Sequence, residues 1–214
     1  PAFLILVQPS LGVAVLTVVG FVGVLLAADI KKKYFLYAIL AFIALTPLFW
    51  RIMQPYQRER IVTFINPTSD PYGSGYNALQ SMISVGSGKI FGRGLGKGVQ
   101  TQLAFLPEKH TDFIFAAVAE ELGYLGAGLL LLGGFFILSR LVSIIENASS
   151  PAGRAYVSGF FLTLLVQTFV HVGMNLGLLP ITGVPFPLVS AGGSSLLATF
   201  IGLAIAFGAR KRLK

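Results

Sequence analysis

Five apolar stretches, each about as long as a membrane-crossing helix, take up much of this chain. A helix needs about 20 consecutive and mostly apolar residues to cross the hydrocarbon core of a bilayer. Hydrophobic residues make up 55% of the chain and charged residues only 11%, whereas a soluble domain carries about 25% charged residues. The sequence therefore predicts an all-α, polytopic membrane helix bundle that forms a single domain over residues 1–214. The predicted spans are residues 11–28, 34–50, 113–138, 155–174 and 192–209.

The short basic segments between and after these spans predict the orientation. Basic residues lie at 31–33, at Arg140 and Arg154, and at 210–214. If successive spans alternate in direction, these residues fall on one side of the membrane, which the positive-inside rule makes cytoplasmic. The C-terminus is then cytoplasmic, and residues 51–112 form a long extracellular loop, whose length exempts its charges from the rule.

Composition also excludes several kinds of site and partner. The chain contains no cysteine, so a disulfide framework and a thiolate site are both excluded. His110 and His171 lie too far apart in sequence to show the spacing of zinc ligands. A net charge of +8 would suggest nucleic acid in a soluble protein, but here basic loops that meet anionic lipid explain it. We therefore expect membrane lipids, and no nucleic acid, as partners.

The long loop contains structure of its own. Its segment YNALQSMISV, residues 76–85, predicts a short interfacial or re-entrant helix. Arg58 and Arg60 precede this segment in a polar, turn-rich stretch. That stretch is either a solvated loop or one wall of a binding site in which the arginines contact phosphate.

A glycine-rich segment, GSGKIFGRGLGKG, follows at residues 86–98. Its glycines would let a phosphate approach the backbone closely, and Lys89, Arg93 and Lys97 would supply positive charge. No Gly-Lys-Ser/Thr follows, so the Walker pattern of a nucleotide site is absent. The segment is therefore either a phosphate-contacting loop or a glycine-rich linker that lies against the membrane.

Asp112 directly precedes the third span, within the sequence LPEKHTDF. As an N-cap it would accept backbone N–H groups at the start of the helix, and such bonds would lower its pKa and weaken it as a base. As a catalytic carboxylate it would act on a reacting hydroxyl group, and Lys109 or His110 could tune its pKa. Both interpretations fit the residues.

Glu120 and Glu121 are predicted to lie inside the third span, where ionisable groups are functional candidates because burying them in lipid is unfavourable. On a helix that turns about 100° per residue, Glu120 lies about 80° around from Asp112 and about 12 Å deeper, whereas Glu121 lies on the opposite face. Glu120 is therefore a candidate for the same cavity wall as Asp112, although pairing within the bundle is the favoured role of both glutamates.

The segment LLPITGVPFPLVSAGGSS, residues 178–195, is broken by proline and glycine at membrane level. Non-helical backbone at that depth must be buried in protein or line a wet cavity. A helix then opens near Ser190, and its free N–H groups could face an anion, with Gly192, Gly193 and Ser194 at its start. The alternative is close packing between helices through these small residues.

Five segments together resemble the SEDS family of membrane glycosyltransferases (RodA, FtsW and SpoVE), which polymerise peptidoglycan. They are QPSLG at 8–12, NPTSDPYGSGYNALQS at 66–81, GSGKIFGRGLGKGVQ at 86–100, FLPEKHTDFIFAAVAEELG at 105–123 and GLLPITGVPFPLVSAGGSS at 177–195. HTDFIF followed by AEELG is the most specific of these motifs, and FLPEKHTDFIF resembles the elongation (RodA) type. The chain departs from the family at Ser10, where a QPDLG turn has aspartate, and at Ala191, where SYGGSS has tyrosine.

The resemblance implies a fold and a location. The family has ten spans with both ends in the cytoplasm, so five spans fit its second half, and we expect a C-terminal part of a longer multi-pass protein of the bacterial cell membrane. We also expect this part to be inactive by itself, because five spans cannot close a cavity. The family works beside a class B penicillin-binding protein, a transpeptidase, which is therefore the expected partner.

The resemblance also implies a reaction. Lipid II would be polymerised into glycan strands during cell-wall elongation and cell-shape maintenance, and Asp112 matches the family's essential loop aspartate. Arg58, Arg60, Lys97 and Lys109 are candidates for contact with the diphosphate leaving group. A divalent cation such as Mg²⁺ is a possible cofactor, although no ligand cluster in the sequence indicates a metal site. A lipid II flippase and a non-catalytic scaffold for a transpeptidase are the alternatives.

Overall fold

The structure is a computed structural model, and it describes residues 11–28, 30, 32–67, 70, 73–103 and 105–210. Ser10 and residues 211–214, on which parts of the sequence interpretation depend, lie outside this range. Within it the secondary structure is helical, as predicted, and no β-strand forms. The helices are α1 (Leu11–Ala27), α2 (Lys32–Ile52), α3 (Pro55–Ile65), α4 (Ser74–Ser87), α5 (Val99–Gln102), α6 (Ile114–Glu146), α7 (Pro151–Asn175) and α8 (Gly193–Gly208).

Each of the five predicted spans coincides with a helix, namely α1, α2, α6, α7 or α8. By length and composition, α6 and α7 are long and apolar enough to cross a membrane, and α1, α8 and part of α2 (Leu36–Pro47) are shorter apolar helices. The predicted loop 51–112 holds more structure than the sequence indicated. Its expected helix is α4, but α3 and α5 were not predicted, because α3 is polar and α5 is a single turn of four residues.

The third predicted span is interrupted. Gly123 in α6 has φ 69° and ψ −168°, which is not helical, so α6 consists of residues 114–122 and 124–146. The second part rises about 34 Å at 1.5 Å per residue, which is enough to cross a bilayer by itself. Glu120 and Glu121 lie before the break, so the prediction that they sit within a continuous span is corrected.

The glycine-rich segment forms backbone hydrogen bonds to α6 on both sides of its break. Residues 89–94 donate to two carbonyl groups before Gly123 and accept from two N–H groups after it. Arg93 N donates to Glu120 O (3.0 Å), Gly94 N to Glu121 O (3.0 Å), Tyr124 N to Lys89 O (2.8 Å), and Leu125 N to Ile90 O (3.2 Å). Unpaired backbone groups in a buried setting are unfavourable, so these four hydrogen bonds stabilise the interrupted helix. Together they form a backbone splice between residues 89–94 and α6.

Glycine is required where these two segments touch. A Cβ atom at Gly88 would collide with the carbonyl oxygen of Ala119, and one at Gly92 would collide with that of Glu121. Gly92 also has φ 79°, a left-handed conformation that favours glycine. The structure therefore gives Gly88 and Gly92 a role in close backbone packing, which neither interpretation of residues 86–98 had included.

The two ends of the bundle are distinct. The turn between α6 and α7 meets the end of α8, where Ser149 N donates to Ala209 O (3.0 Å). The predicted basic residues Arg140, Arg154 and Arg210 are therefore grouped towards this end. The opposite end carries the C-terminus of α7, the start of α6 and residues 176–191 between α7 and α8, and it contains the candidate site.

Candidate functional site

Three hydrogen bonds join the residues before α6 to the end of α7 and to the start of α8. Asn175 Nδ2 donates to Asp112 O (3.0 Å), Ser190 Oγ donates to Thr111 O (2.7 Å), and Ala191 N donates to His110 O (2.8 Å). The structure thus places the segments around Asp112 and Ser190 beside each other, although about eighty residues separate them in the sequence.

Asp112 is half-buried at this junction, and it is not an N-cap. The cap position of α6 is Phe113, whose own side chain makes no capping hydrogen bond. Burial raises the pKa of the Asp112 carboxyl group above its ordinary value, the charge of Glu108 raises it further, and Arg60 opposes both. A Cβ atom added to Gly183 would lie 3.5 Å from Asp112 Oδ2, so the carboxylate faces backbone that carries no side chain. These features suit a base better than a cap.

Arg60 is the predicted arginine that lies near Asp112. It also lines an open cleft between α3, α4 and residues 177–181, whose other walls include Phe64, Met82, Leu179 and Ile181. Arg58 points elsewhere, since its Nη2 donates to Arg51 O (2.8 Å). Its buried Nε has no hydrogen-bond partner among the described residues. The structure therefore brings one of the two arginines to the site.

The other predicted cationic and imidazole groups differ in their surroundings. Lys97 is exposed on the glycine-rich segment, and His110 is exposed beside Asp112. Lys109 is partly buried, and its Nζ donates to the carbonyl oxygen of Thr101 at the end of α5. Lys109 is thus part of the contact between α5 and the residues before α6, whereas His110 and Lys97 are open to a ligand.

Glu120, the candidate for a cavity wall shared with Asp112, contacts the start of α5. Its side chain is fully buried, and its two carboxylate oxygens accept hydrogen bonds from Gln100 N (2.9 Å) and Thr101 N (3.0 Å). These N–H groups open α5 and have no partner within that helix, so Glu120 caps α5 from another part of the chain. Glu121 accepts from Gln102 Nε2 (3.0 Å). Both glutamates therefore pair within the structure, the role that the sequence favoured.

Ser190 is also a structural residue. It is fully buried, its hydroxyl group donates to Thr111 O, and it accepts from Phe186 N (2.7 Å). These bonds occupy its side chain, and its contact with an anion stays a prediction. Gly192 is the N-cap of α8 and makes no side-chain cap, while Gly193 and Ser194 are exposed in its first turn. The N–H groups of a first helical turn lack helical partners, so this helix start is the part of the segment that could receive an anion.

A polar stripe on α7 binds the segment 178–195, which proline and glycine interrupt. This stripe was not identified from the sequence. Gln167, His171 and Asn175 recur every four residues and so share one helix face. Gln167 Nε2 donates to Pro185 O (2.8 Å), and His171 Nδ1 lies 2.7 Å from Val184 O. These side chains satisfy carbonyl groups that an irregular chain leaves free. The four-residue spacing of polar residues in an otherwise apolar helix was the signal that could have revealed them.

A metal site is not supported by the donors present. Among the described residues, no group of three or more His, Cys, Asp and Glu side chains could hold a metal ion. Near Asp112 the additional carboxylate is Glu108, and its Oε2 accepts from Thr111 Oγ1 (2.9 Å).

Comparison with known proteins identifies the family. Residues 1–214 match the FtsW/RodA/SpoVE family, described as "Cell cycle protein". The chain is 41% identical over 206 residues to the peptidoglycan glycosyltransferase MrdB of Escherichia coli K12, covering 96% of this chain and 56% of MrdB. It is 41% identical over 210 residues to a probable peptidoglycan glycosyltransferase FtsW of Buchnera aphidicola, covering 96% and 54%. The chain thus spans about half the length of the curated relatives it matches.

Solved structures share the fold. A chain of a peptidoglycan synthase complex that coordinates polymerization and crosslinking has a TM-score of 0.78 at 32% identity, covering 96% of this chain and 56% of that chain. A mutant of the rod shape determining protein RodA from Thermus thermophilus has a TM-score of 0.60 at 27% identity, covering 96% and 51%. MrdB and an FtsW match at the same identity, so the elongation type stays a prediction. The chain therefore belongs to the FtsW/RodA/SpoVE family, the SEDS family of membrane proteins.

Proposed function

We propose that the full-length protein carrying this chain is a peptidoglycan glycosyltransferase of the bacterial cell membrane that polymerises lipid II. The observation that carries the proposal is Asp112, a half-buried carboxylate with a raised pKa that caps no helix and lies near the cation Arg60. The names of the MrdB and FtsW relatives support the reaction class. The site end is extracellular and the C-terminus cytoplasmic in this proposal, because the basic turns lie at the opposite end.

The proposed reaction needs a base and a cationic environment for the leaving group. A sugar hydroxyl group of one lipid II attacks the anomeric carbon of another, and the bond from that carbon to the polyprenyl diphosphate breaks. Asp112 accepts the proton of the hydroxyl group as the new glycosidic bond forms. Arg60 and the free N–H groups at the start of α8 stabilise the negative charge on the departing diphosphate.

Stereochemistry follows from the number of carboxylates. A covalent glycosyl intermediate would need a second carboxylate as nucleophile about 5 Å from the first. Glu120 and Glu121 are occupied by hydrogen bonds to the α5 region, and Glu108 is exposed. Asp112 acting alone favours a single displacement with inversion at the anomeric carbon.

A crosslinking partner completes the proposal. One similar solved chain belongs to a complex that coordinates polymerization and crosslinking, so we assign a class B penicillin-binding protein, which forms crosslinks as a transpeptidase, as the partner of the full-length protein. A glycan strand made on the extracellular side would then reach that partner without crossing the membrane.

The test is glycan polymerisation from labelled lipid II by the purified full-length protein and its Asp112→Asn variant. We expect polymer from the parent and a loss of at least about 100-fold in the variant, because a positioned general base contributes about 10²–10⁴ to the rate. Asp70→Asn is the matched control, since hydrogen bonds from Ser74 occupy Asp70 within its own turn. If neither the parent nor Asp112→Asn makes polymer but lipid II crosses vesicle membranes, the protein is a flippase and not a polymerase.

A further inference from the structure

We propose that Asn175 is a positioning residue for Asp112, and that it sets the place of the aspartate's backbone relative to α4, α6 and α7. This inference rests on the proposed function, because it assigns Asn175 a role in the same reaction. Asn175 does not touch the substrate in this proposal. It acts through Asp112, whose main-chain carbonyl group it holds.

Asn175 is fully buried at the C-terminal end of α7, and its side-chain amide joins three segments. Its Nδ2 donates to Asp112 O (3.0 Å) and to His171 O (2.8 Å), and its Oδ1 accepts from Ala116 N (3.1 Å). One side chain therefore links α7, the residues before α6 and the first turn of α6.

The neighbours determine which way the amide must face. Asp112 O and His171 O can accept hydrogen bonds but not donate them, whereas Ala116 N can donate but not accept. Only the orientation with Nδ2 towards the two carbonyl groups and Oδ1 towards Ala116 satisfies all three. A carboxylate of the same shape at position 175 would place an acceptor against two acceptors.

The bond to Ala116 replaces a cap that the local sequence lacks. Ala116 N belongs to the first turn of α6, whose N–H groups have no partner within the helix. Phe113 occupies the cap position and has no side chain that could accept them. Asn175 therefore caps α6 from α7 while it holds the carbonyl group of Asp112, and this fixes Asp112 relative to the helix start.

Ser81 on α4 supports Asn175 from the other side. Its buried hydroxyl group donates to Asn175 O (2.9 Å) and lies 3.4 Å from Asn175 Oδ1. Ser84, one turn further along α4, is equally buried, but its hydroxyl group donates to Gln80 O (2.9 Å) within its own helix. The two serines thus form a matched pair, of which one contacts Asn175.

The experiment compares Asn175→Ala with Asn147→Ala in the full-length protein. Asn147 lies at the C-terminal end of α6, the helix whose N-terminus Asn175 caps, and its Nδ2 donates to Ser143 O (2.8 Å). We expect Asn175→Ala to lower kcat for lipid II polymerisation about 10–100-fold with little change in KM, because a displacement of about 1 Å of a catalytic group has effects of that size. We expect Asn147→Ala to leave kcat unchanged.

A pH profile separates positioning from a general loss of folded protein. A displaced Asp112 is less buried, so its pKa falls and the acidic limb of the kcat/KM profile moves to lower pH, whereas partial unfolding would scale the whole profile. Should Asn175→Ala fail to fold, the same comparison is made between Ser81→Ala and Ser84→Ala, each of which removes only a hydroxyl group. Equal kcat values and equal pH profiles within both pairs would overturn the proposal.

Hydrogen exchange makes the inference independent of turnover. We expect faster amide exchange in residues 105–117 of Asn175→Ala than of Asn147→Ala, because the cap of α6 and the anchor of Asp112 are both lost. An inactive parent protein would refute the proposed function, and this exchange comparison would then decide by itself whether Asn175 positions Asp112. Unchanged exchange would refute the positioning role even in an active enzyme.

Discussion

Asp112 has a partly buried carboxyl group and two charged neighbours that shift its pKa in opposite directions. Burial and Glu108 raise its pKa, and Arg60 lowers it. A carboxyl group with a raised pKa binds its proton more tightly in the folded state than in the unfolded state. The contribution of Asp112 to folding stability is therefore fully present below the ordinary pKa of 3.8 and is lost as pH rises through the raised value. The folded surroundings of Asp112 thus disfavour its charged form.

The two neighbours should move the pH–rate profile in opposite directions. As a base, Asp112 must be deprotonated, so its pKa sets the acidic limb of kcat/KM in the full-length enzyme. Arg60→Gln removes the charge that lowers this pKa, so the limb moves to higher pH. Glu108→Gln removes a charge that raises it, so the limb moves to lower pH, while the amide oxygen can still accept from Thr111.

Glu59→Gln is the control for these two variants, since Glu59 is exposed on α3 and does not contribute to the pKa of Asp112. The measurement is the midpoint of the acidic limb of kcat/KM for all four proteins. A pH-independent effect of Arg60 on substrate affinity would scale this profile without moving its midpoint. Shifts in the same direction for Arg60→Gln and Glu108→Gln would show that another group sets the limb.

At the scale of elements, the main feature is the splice between α6 and the glycine-rich segment. An interrupted helix normally leaves backbone groups unpaired, and here residues 89–94 form backbone hydrogen bonds to α6 on both sides of Gly123. The splice couples the loop that carries Lys97 to the helix that begins beside Asp112. The arrangement requires two backbones in direct contact, which explains glycine at Gly88 and Gly92.

Gly92→Ala should destabilise the protein more than Gly96→Ala does. Both residues have positive φ, 79° and 70°, so the conformational penalty of alanine, about 1–2 kcal/mol, applies to both. Only Gly92 lacks room for a Cβ atom, because nothing lies within 4 Å of one at Gly96. We expect a further loss of about 1–3 kcal/mol from overpacking at Gly92.

Thermal unfolding of the detergent-solubilised full-length protein measures this difference, with Gly92→Ala expected to unfold at the lower temperature. If the two variants unfold at the same temperature, then the contact between Gly92 and the carbonyl group of Glu121 does not stabilise α6, and the splice is incidental to the fold.

At the scale of the whole molecule, the bundle separates a polar site end from an end that carries basic turns. The α6–α7 turn contacts the end of α8, whereas Asp112, Asn175 and Ser190 meet at the other end. Because short basic segments stay in the cytoplasm, the site end should face outward. Lipid-linked sugars and a crosslinking partner would be reached on that side.

Single cysteines test this orientation, because the chain has none of its own. In spheroplasts that express an otherwise cysteine-free full-length protein, Lys97→Cys should react with a membrane-impermeant maleimide. Ala152→Cys, at the exposed start of α7, should react only after the membrane is permeabilised. The reverse pattern would invert the proposed topology and place Asp112 in the cytoplasm.

Much of the fold was predictable, because apolar stretches in a membrane protein form helices whatever surrounds them. Each predicted span coincides with a helix, and a short interfacial or re-entrant helix was expected where α4 lies. The break at Gly123 was not predicted. A glycine within an apolar helix is common in membranes, and the partner that makes a break favourable lies about thirty residues earlier in the sequence.

Within the site, sequence patterns alone indicated the helices and the family, and they singled out Asp112 as the candidate carboxylate. Which of the nearby polar residues are free depends on tertiary contacts. Glu120 and Ser190 looked available, but hydrogen-bond partners 20 and 79 residues away occupy them. Asn175 looked like an ordinary helix residue, but it holds Asp112 from 63 residues away. Helix formation depends on local backbone bonds and hydropathy, which sequence shows directly. The role of a polar side chain depends on the partners that satisfy it, and packing alone brings those partners together.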